Sequence, residues 1–105
     1  MADERWDPKD PQDVDAFHND WSKRLLVEGV NVGDTILTMA HADPLKRPSA
    51  IVETGDVVVE AVLLTGNIQT IWVSAGTKSS TVKLTIWTSQ GRRCIQRRII
   101  TVDQN

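Results

Sequence analysis

The stretch Thr81-Val-Lys-Leu-Thr-Ile-Trp-Thr88 constrains this chain more than any other, because it alternates without a fault. Val82, Leu84 and Ile86 fall on one side; Lys83, Thr85 and Trp87 fall on the other. A period of two with one apolar side is the pattern of a strand buried on one face. Gly76-Thr-Lys-Ser-Ser80 before it and Ser89-Gln-Gly91 after it have turn composition. Strands are therefore expected at 70–77, 81–88 and 92–102, joined as two hairpins. Such a meander cannot cover its own apolar face, so the rest of the chain must supply a second layer.

The remaining segments fit that demand. Val57-Val-Val-Glu-Ala-Val-Leu-Leu64 is short, apolar and β-branched, and Thr65-Gly-Asn67 closes it as a hairpin turn into Ile68. A short strand is expected at Ala50–Glu53, before the turn Thr54-Gly-Asp56, and another at Asp34–Met39. Residues 40–48, with two prolines, form a loop. Turn signals spaced about 8–12 residues apart, with no long helix, indicate an all-β, immunoglobulin-like antiparallel sandwich of six to seven strands. Trp72 is the expected core tryptophan, while Trp87 shares the polar side of its strand and is available to a partner. Alternation fails in the last strand, where Ile95 and Ile99 oppose Cys94, Ile100 and Val102. A bulge near Arg97-Arg98 would reconcile the two sets, and the arginines suit an edge.

Residues 1–24 differ in character from residues 25–105, so the chain divides into an N-terminal arm and a sandwich domain. Up to Asp20 the arm holds seven acids (Asp3, Glu4, Asp7, Asp10, Asp13, Asp15, Asp20) against Arg5 and Lys9. It also holds Trp6, Val14, Phe17 and Trp21. Val14, Phe17 and Trp21 are three and four apart, the spacing of one helical face, so the arm is expected as extended or as a short helix. Its aromatics either pack on the sandwich or grip a neighbouring subunit.

Reactive chemistry has little to stand on. His18 is expected on the exposed side of the arm and His41 in a loop, and neither belongs to a metal-ligand spacing. Cys94 reads as a small buried strand residue. No phosphate-cradling glycine loop and no calcium-loop pattern is present. The chain is thus expected to be no enzyme, with no catalytic residue, cofactor, metal or small-molecule substrate. Arg92, Arg93, Arg97 and Arg98 form the one charge cluster. A net charge of −2 and the lack of interleaved aromatics argue against nucleic acid. Arginine's planar fork suits carboxylates, which leaves a basic face for an acidic protein segment. No apolar run approaches the roughly 20 residues of a membrane span. The polar start is not a secretory signal, so synthesis in the cytoplasm is expected.

Taken together, Lys9-Asp-Pro-Gln-Asp-Val-Asp-Ala-Phe-His-Asn-Asp-Trp-Ser22, Leu25, Gly33-Asp-Thr-Ile36, Thr70-Ile-Trp-Val-Ser-Ala-Gly-Thr77 and Gly91-Arg92 resemble the fiber-tail adaptor proteins of tailed bacteriophages. The resemblance runs from Lys9 to Val102. It departs at Gly29–Val32, at the Leu45–Pro48 loop and at Ala75, where the pattern has a glycine. It implies an immunoglobulin-like virion protein of the tail or neck, made in the host cytoplasm. Its partners would be tail, neck, connector or fibre subunits, met by multiple copies in a symmetric ring. Trp6, Phe17, Trp21, Trp87, Arg92, Arg93, Arg97 and Arg98 are the candidate interface residues. A capsid-decorating or host-glycan-binding module, working through residues 40–48 and the turns, is the alternative.

Overall fold

The computed structural model describes residues 4–5, 14–28 and 35–102. In chain order the elements are β1 (Glu4–Arg5), β2 (Asp15–Asp20), α1 (Ser22–Glu28), a single 3-10 turn (Pro44–Lys46), β3 (Ser49–Thr54), β4 (Val57–Thr65), β5 (Ile68–Ala75), β6 (Ser80–Trp87) and β7 (Arg93–Ile100). Two sheets form, one ordered β1-β7-β6-β3 and the other β2-β5-β4. All pairings are antiparallel except β1 with β7. If β2 to β7 are lettered B to G, the sheets are B-E-D and C-F-G, the arrangement of an immunoglobulin-type sandwich.

Parity fills the space between the sheets. Val82, Leu84 and Ile86 of β6 are fully buried, as their alternation requires, and meet Ile71 and Val73 of β5. Cys94 and Ile100 extend this layer along β7. Removing such side chains from water is the main favourable contribution to folding.

In the leader the structure selects the extended alternative, and its aromatics Phe17 and Trp21 pack on their own sandwich. Val14, Phe17 and Trp21 do not line a helix: Asp15–Asp20 is a strand paired residue for residue with β5. Phe17 and Asn19 point inward at strand spacing, and Trp21, just past the strand, is 0% exposed. Tertiary burial overrides the helical spacing, because an edge of β5 is open and needs a strand. The helix comes one step later, where Asp20 accepts the Ser22 backbone N–H at 2.9 Å and Leu25 turns into the core.

Trp72 is likewise not the core tryptophan: it is 39% exposed, while Ile71 and Val73 beside it face inward. The inward parity of β5 includes Gln69, a polar residue that disguised it. Gln69 is satisfied there. Its amide oxygen accepts the Trp21 indole N–H at 3.0 Å, and its NH2 donates to the Ser49 carbonyl at 3.0 Å. This chain links the β2–α1 junction, β5 and β3 and so ties the two sheets together. Arg98 makes a second tie, donating from β7 to the buried Asn19 of β2 at 2.9 Å.

No bulge occurs at Arg97-Arg98, since β7 keeps unbroken register with β6 from Arg93 to Ile100. Cys94, Gln96 and Ile100 face inward, and Ile95 and Ile99 lie half-buried on the outer side. The register shifts fall instead at Val52/Thr54 and Val59/Ala61. Nor is β7 a free edge: β1 pairs with Arg98 and Ile99, and Arg24 donates to the Ile95 carbonyl at 2.8 Å. Asp34–Met39 forms no strand in its described part; Ile36 makes a single bridge to Thr88.

One end of the sandwich closes through two facing turns. Ser80 Oγ accepts the N–H groups of Asp56 and Val57 at 3.1 and 3.3 Å. The Asp56 carboxylate accepts both the N–H and the hydroxyl of Thr77. Ala75 and Gly76 both take left-handed backbone, with φ 58 and 103. A Cβ on Gly76 would lie 2.7 Å from Val57 and 3.0 Å from Val102, so this position requires glycine.

Candidate protein-binding site

The outward parity of β3, β6 and β7 builds a basic surface, here termed the front face. Its rows follow the register: Ile51, Lys83 and Arg97 align, as do Ser49, Thr85 and Ile95, and Trp87 aligns with Arg93. Two cations approach the Trp87 ring, with Lys46 Nζ 5.6 Å and the Arg93 guanidinium 5.8 Å from the ring centre. Each such contact stabilises by roughly 0.5–1 kcal/mol at an exposed site.

Lys46 reaches Trp87 because the 40–48 loop is held in shape. Asp43 caps the 3-10 turn by accepting the Leu45 N–H at 3.0 Å, and Pro44 presets its start. Arg47 Nε donates to the His41 carbonyl at 2.8 Å, and the Asp43 N–H donates to His41 Nδ1 at 3.1 Å. The tip of this turn is Leu45, which is 85% exposed. Across the sheet Arg97 pairs with Glu53 at 2.7 Å, and that hydrogen bond holds the Glu53 carboxyl below its ordinary range. An exposed pair of this kind contributes little to stability. Its effect is to fix Arg97 in place, with Arg93, Lys83 and Lys46 left to set the sign of the face.

The expected interface residues therefore separate. Trp87, Arg93 and Arg97 share the front face. Arg98 points inward to Asn19. Arg92 closes the β6–β7 turn: its carbonyl accepts the Thr88 N–H at 2.9 Å, and its own N–H donates to Thr88 Oγ1 at 3.2 Å. Phe17 and Trp21 lie in the core of their own domain. Trp6 lies outside the described residues.

Lys83, Lys46, Leu45 and Glu53 belong to the front face and were not singled out from the sequence. Lys83 was legible, since it shares the parity of Trp87. Lys46 had no local signal, because only the fold brings residues 46 and 87 together.

His18 is exposed as expected, with Nδ1 2.8 Å from Thr70 Oγ1. Among the described residues no group of His, Cys, Asp and Glu is placed to hold a metal ion. No helix there is long and apolar enough to cross a membrane.

Fold and surface together define an immunoglobulin-like sandwich with a structured, charged outer face. Residues 9–102 match the family model described as podophage GP4 fiber-tail adaptor protein gp77, and the chain belongs to that family. No curated protein matches it. Membership makes it a structural adaptor of the phage virion, with other virion proteins as its partners.

Proposed function

We propose that the protein joins tail or neck subunits to fibres or to neighbouring subunits through its front face, without catalysing a reaction. The observation that carries this reading is Trp87, an aromatic anchor set among Lys46, Lys83, Arg93 and Arg97. An aromatic and arginine cluster on a rigid sheet is the composition that dominates binding energy in protein interfaces. Its sign selects an acidic partner surface and speeds encounter with it. Host-cytoplasmic synthesis and a place at the tail or neck complete the proposal.

The acidic leader remains the second contact element: Phe17 and Trp21 hold the sandwich together and Glu4–Arg5 pairs with β7, so Trp6 is the leader aromatic we assign to a partner. Several copies arranged around a symmetry axis would present arms and front faces repeatedly.

The test is complementation of a phage lacking the protein. Lys83→Glu/Arg93→Glu should fold as wild type by circular dichroism yet be absent from purified particles. Normal incorporation of that variant would remove the front face from the account.

A further inference from the structure

The geometry points to a partner for the front face: the opposite face of a second copy of this chain. This inference rests on the docking role proposed above and names its occupant.

The outward side of β2, β5 and β4, the back face, is apolar. Trp72 is flanked in register by Ala16 and Ala61, and Leu63 and Ile68 occupy the neighbouring rows. Val58, Leu63, Ile68 and Trp72 are each 39–52% exposed. Contiguous exposed apolar side chains rimmed by polar residues are the kind of patch that serves as an interaction surface.

Polar groups on this face are already satisfied within it. His18 meets Thr70, Glu60 accepts from Ser74, and Asp20 accepts from Ser22. What remains to offer is apolar area and negative charge. No lysine or arginine occupies an outward position of β2, β4 or β5, whereas Asp20 and Glu60 do. Lys23, at the start of α1 beside Asp20, is the cation that acts on it.

The front face is the counterpart. It sets Lys46, Lys83, Arg93 and Arg97 against Glu53, around the apolar Leu45, Ile51 and Trp87. Each face thus has apolar side chains among charges of one prevailing sign, and the signs are opposite. Opposite potentials across an interface favour this register and disfavour like-on-like pairing.

The edges are poorer candidates. β4 is the outer strand of its sheet, but a bulge at Val59/Ala61 and the charge of Glu60 interrupt it mid-strand. Both features block strand addition. Front and back faces lie on opposite sides of one sandwich, so occupying one leaves the other open. Such a heterologous contact repeats, closing into a ring if the rotation allows and a filament if not.

Sedimentation velocity on the full-length protein tests this with two variants. Lys83→Glu/Arg93→Glu disables the front, and Leu63→Thr/Trp72→Thr disables the back without adding charge. Wild type should self-associate with concentration and dissociate as salt rises. Each variant alone should be monomeric, its association weakened roughly ten-fold or more. An equimolar mixture should form a dimer that does not extend, because only one intact front and one intact back remain. Self-association of the front variant alone would show a back-to-back contact and overturn the inference. So would a monomeric mixture, or a wild type that stays monomeric throughout. Particle incorporation separates the two readings. If the front variant is lost from particles while wild type is monomeric in solution, the front face binds another virion protein, and only this inference falls. If the front variant incorporates normally, the underlying docking role falls with it.

Discussion

The two outer faces of the sandwich obey the same alternating grammar and reach different chemistries. On β6 the outward positions are Thr81, Lys83, Thr85 and Trp87; on β5 they are Ile68, Thr70, Trp72 and Ser74. Both strands bury their other parity, yet each places a tryptophan outside. On the front, Trp87 is half-buried beside Lys46 and Arg93. On the back, Trp72 has small alanines for in-register neighbours. Tryptophan's size therefore did not decide its side. The inner layer admits whatever fits its polar and apolar partners, Gln69 included, and the outer layers are free to differ.

Substitutions at three tryptophans sharpen that contrast, ranked by how much surrounding structure each supports. Trp21→Ala should cost about 3–5 kcal/mol, as for other large core truncations, and also orphan Gln69. Trp87→Ala should cost about 1–2 kcal/mol through lost packing and cation contacts. Trp72→Ala should stay within about 0.5 kcal/mol, as a surface change. Urea unfolding of the three variants checks the order, and equal effects at Trp72 and Trp87 would erase the distinction between the faces.

The turn that ends β5 gives a paired prediction of intermediate and opposite effects. Gly76→Ala should destabilise by about 2–4 kcal/mol, because left-handed backbone and the Val57 contact both oppose a Cβ. Ala75→Gly should stabilise by about 0.5–1 kcal/mol by relieving a left-handed alanine, less the added chain entropy. A drop in thermal midpoint for Ala75→Gly would refute the strain at that position.

Acid should produce the smallest effect, and it should touch both faces. The Arg97 hydrogen bond lowers the Glu53 carboxyl on the front, and the Ser22 hydrogen bonds lower that of Asp20 on the back. The Thr77 hydroxyl and N–H lower Asp56 at the turn. Groups depressed in the folded state contribute stability above their unfolded values, near pH 4, and that stability is lost as pH falls through the folded values. The urea midpoint should therefore decline below about pH 4, and Glu53→Gln should flatten part of the decline. A midpoint unchanged between neutral pH and pH 3 would contradict these pairings.

Much of the sandwich was legible wherever alternation was unambiguous. The burial of Val82, Leu84 and Ile86 follows from parity and turn residues, whereas the strand expected at 70–77 runs Ile68–Ala75. Illegibility came from three physical sources. Apolar side chains on both sides of a strand, as with Ile95 and Ile99 against Cys94 and Ile100, leave the inner parity undetermined. Short spacing in the leader fits a helix locally, while the open edge of β5 demands a strand. Sequence-distant contacts such as Lys46 on Trp87 have no one-dimensional trace. The departure at Ala75 was informative in its own way: a glycine expected there corresponds to the left-handed backbone that Ala75 adopts.

Amine labelling of assembled particles bears most directly on the front face as a docking surface. Lys46 and Lys83 lie on it, whereas the exposed Lys78 sits in the turn before β6. In the isolated protein Lys46 and Lys78 should both react readily. In purified particles Lys46 and Lys83 should become protected while Lys78 keeps its reactivity. Equal labelling of Lys46 and Lys83 in free protein and particle would show that nothing covers this face, and the account would fail.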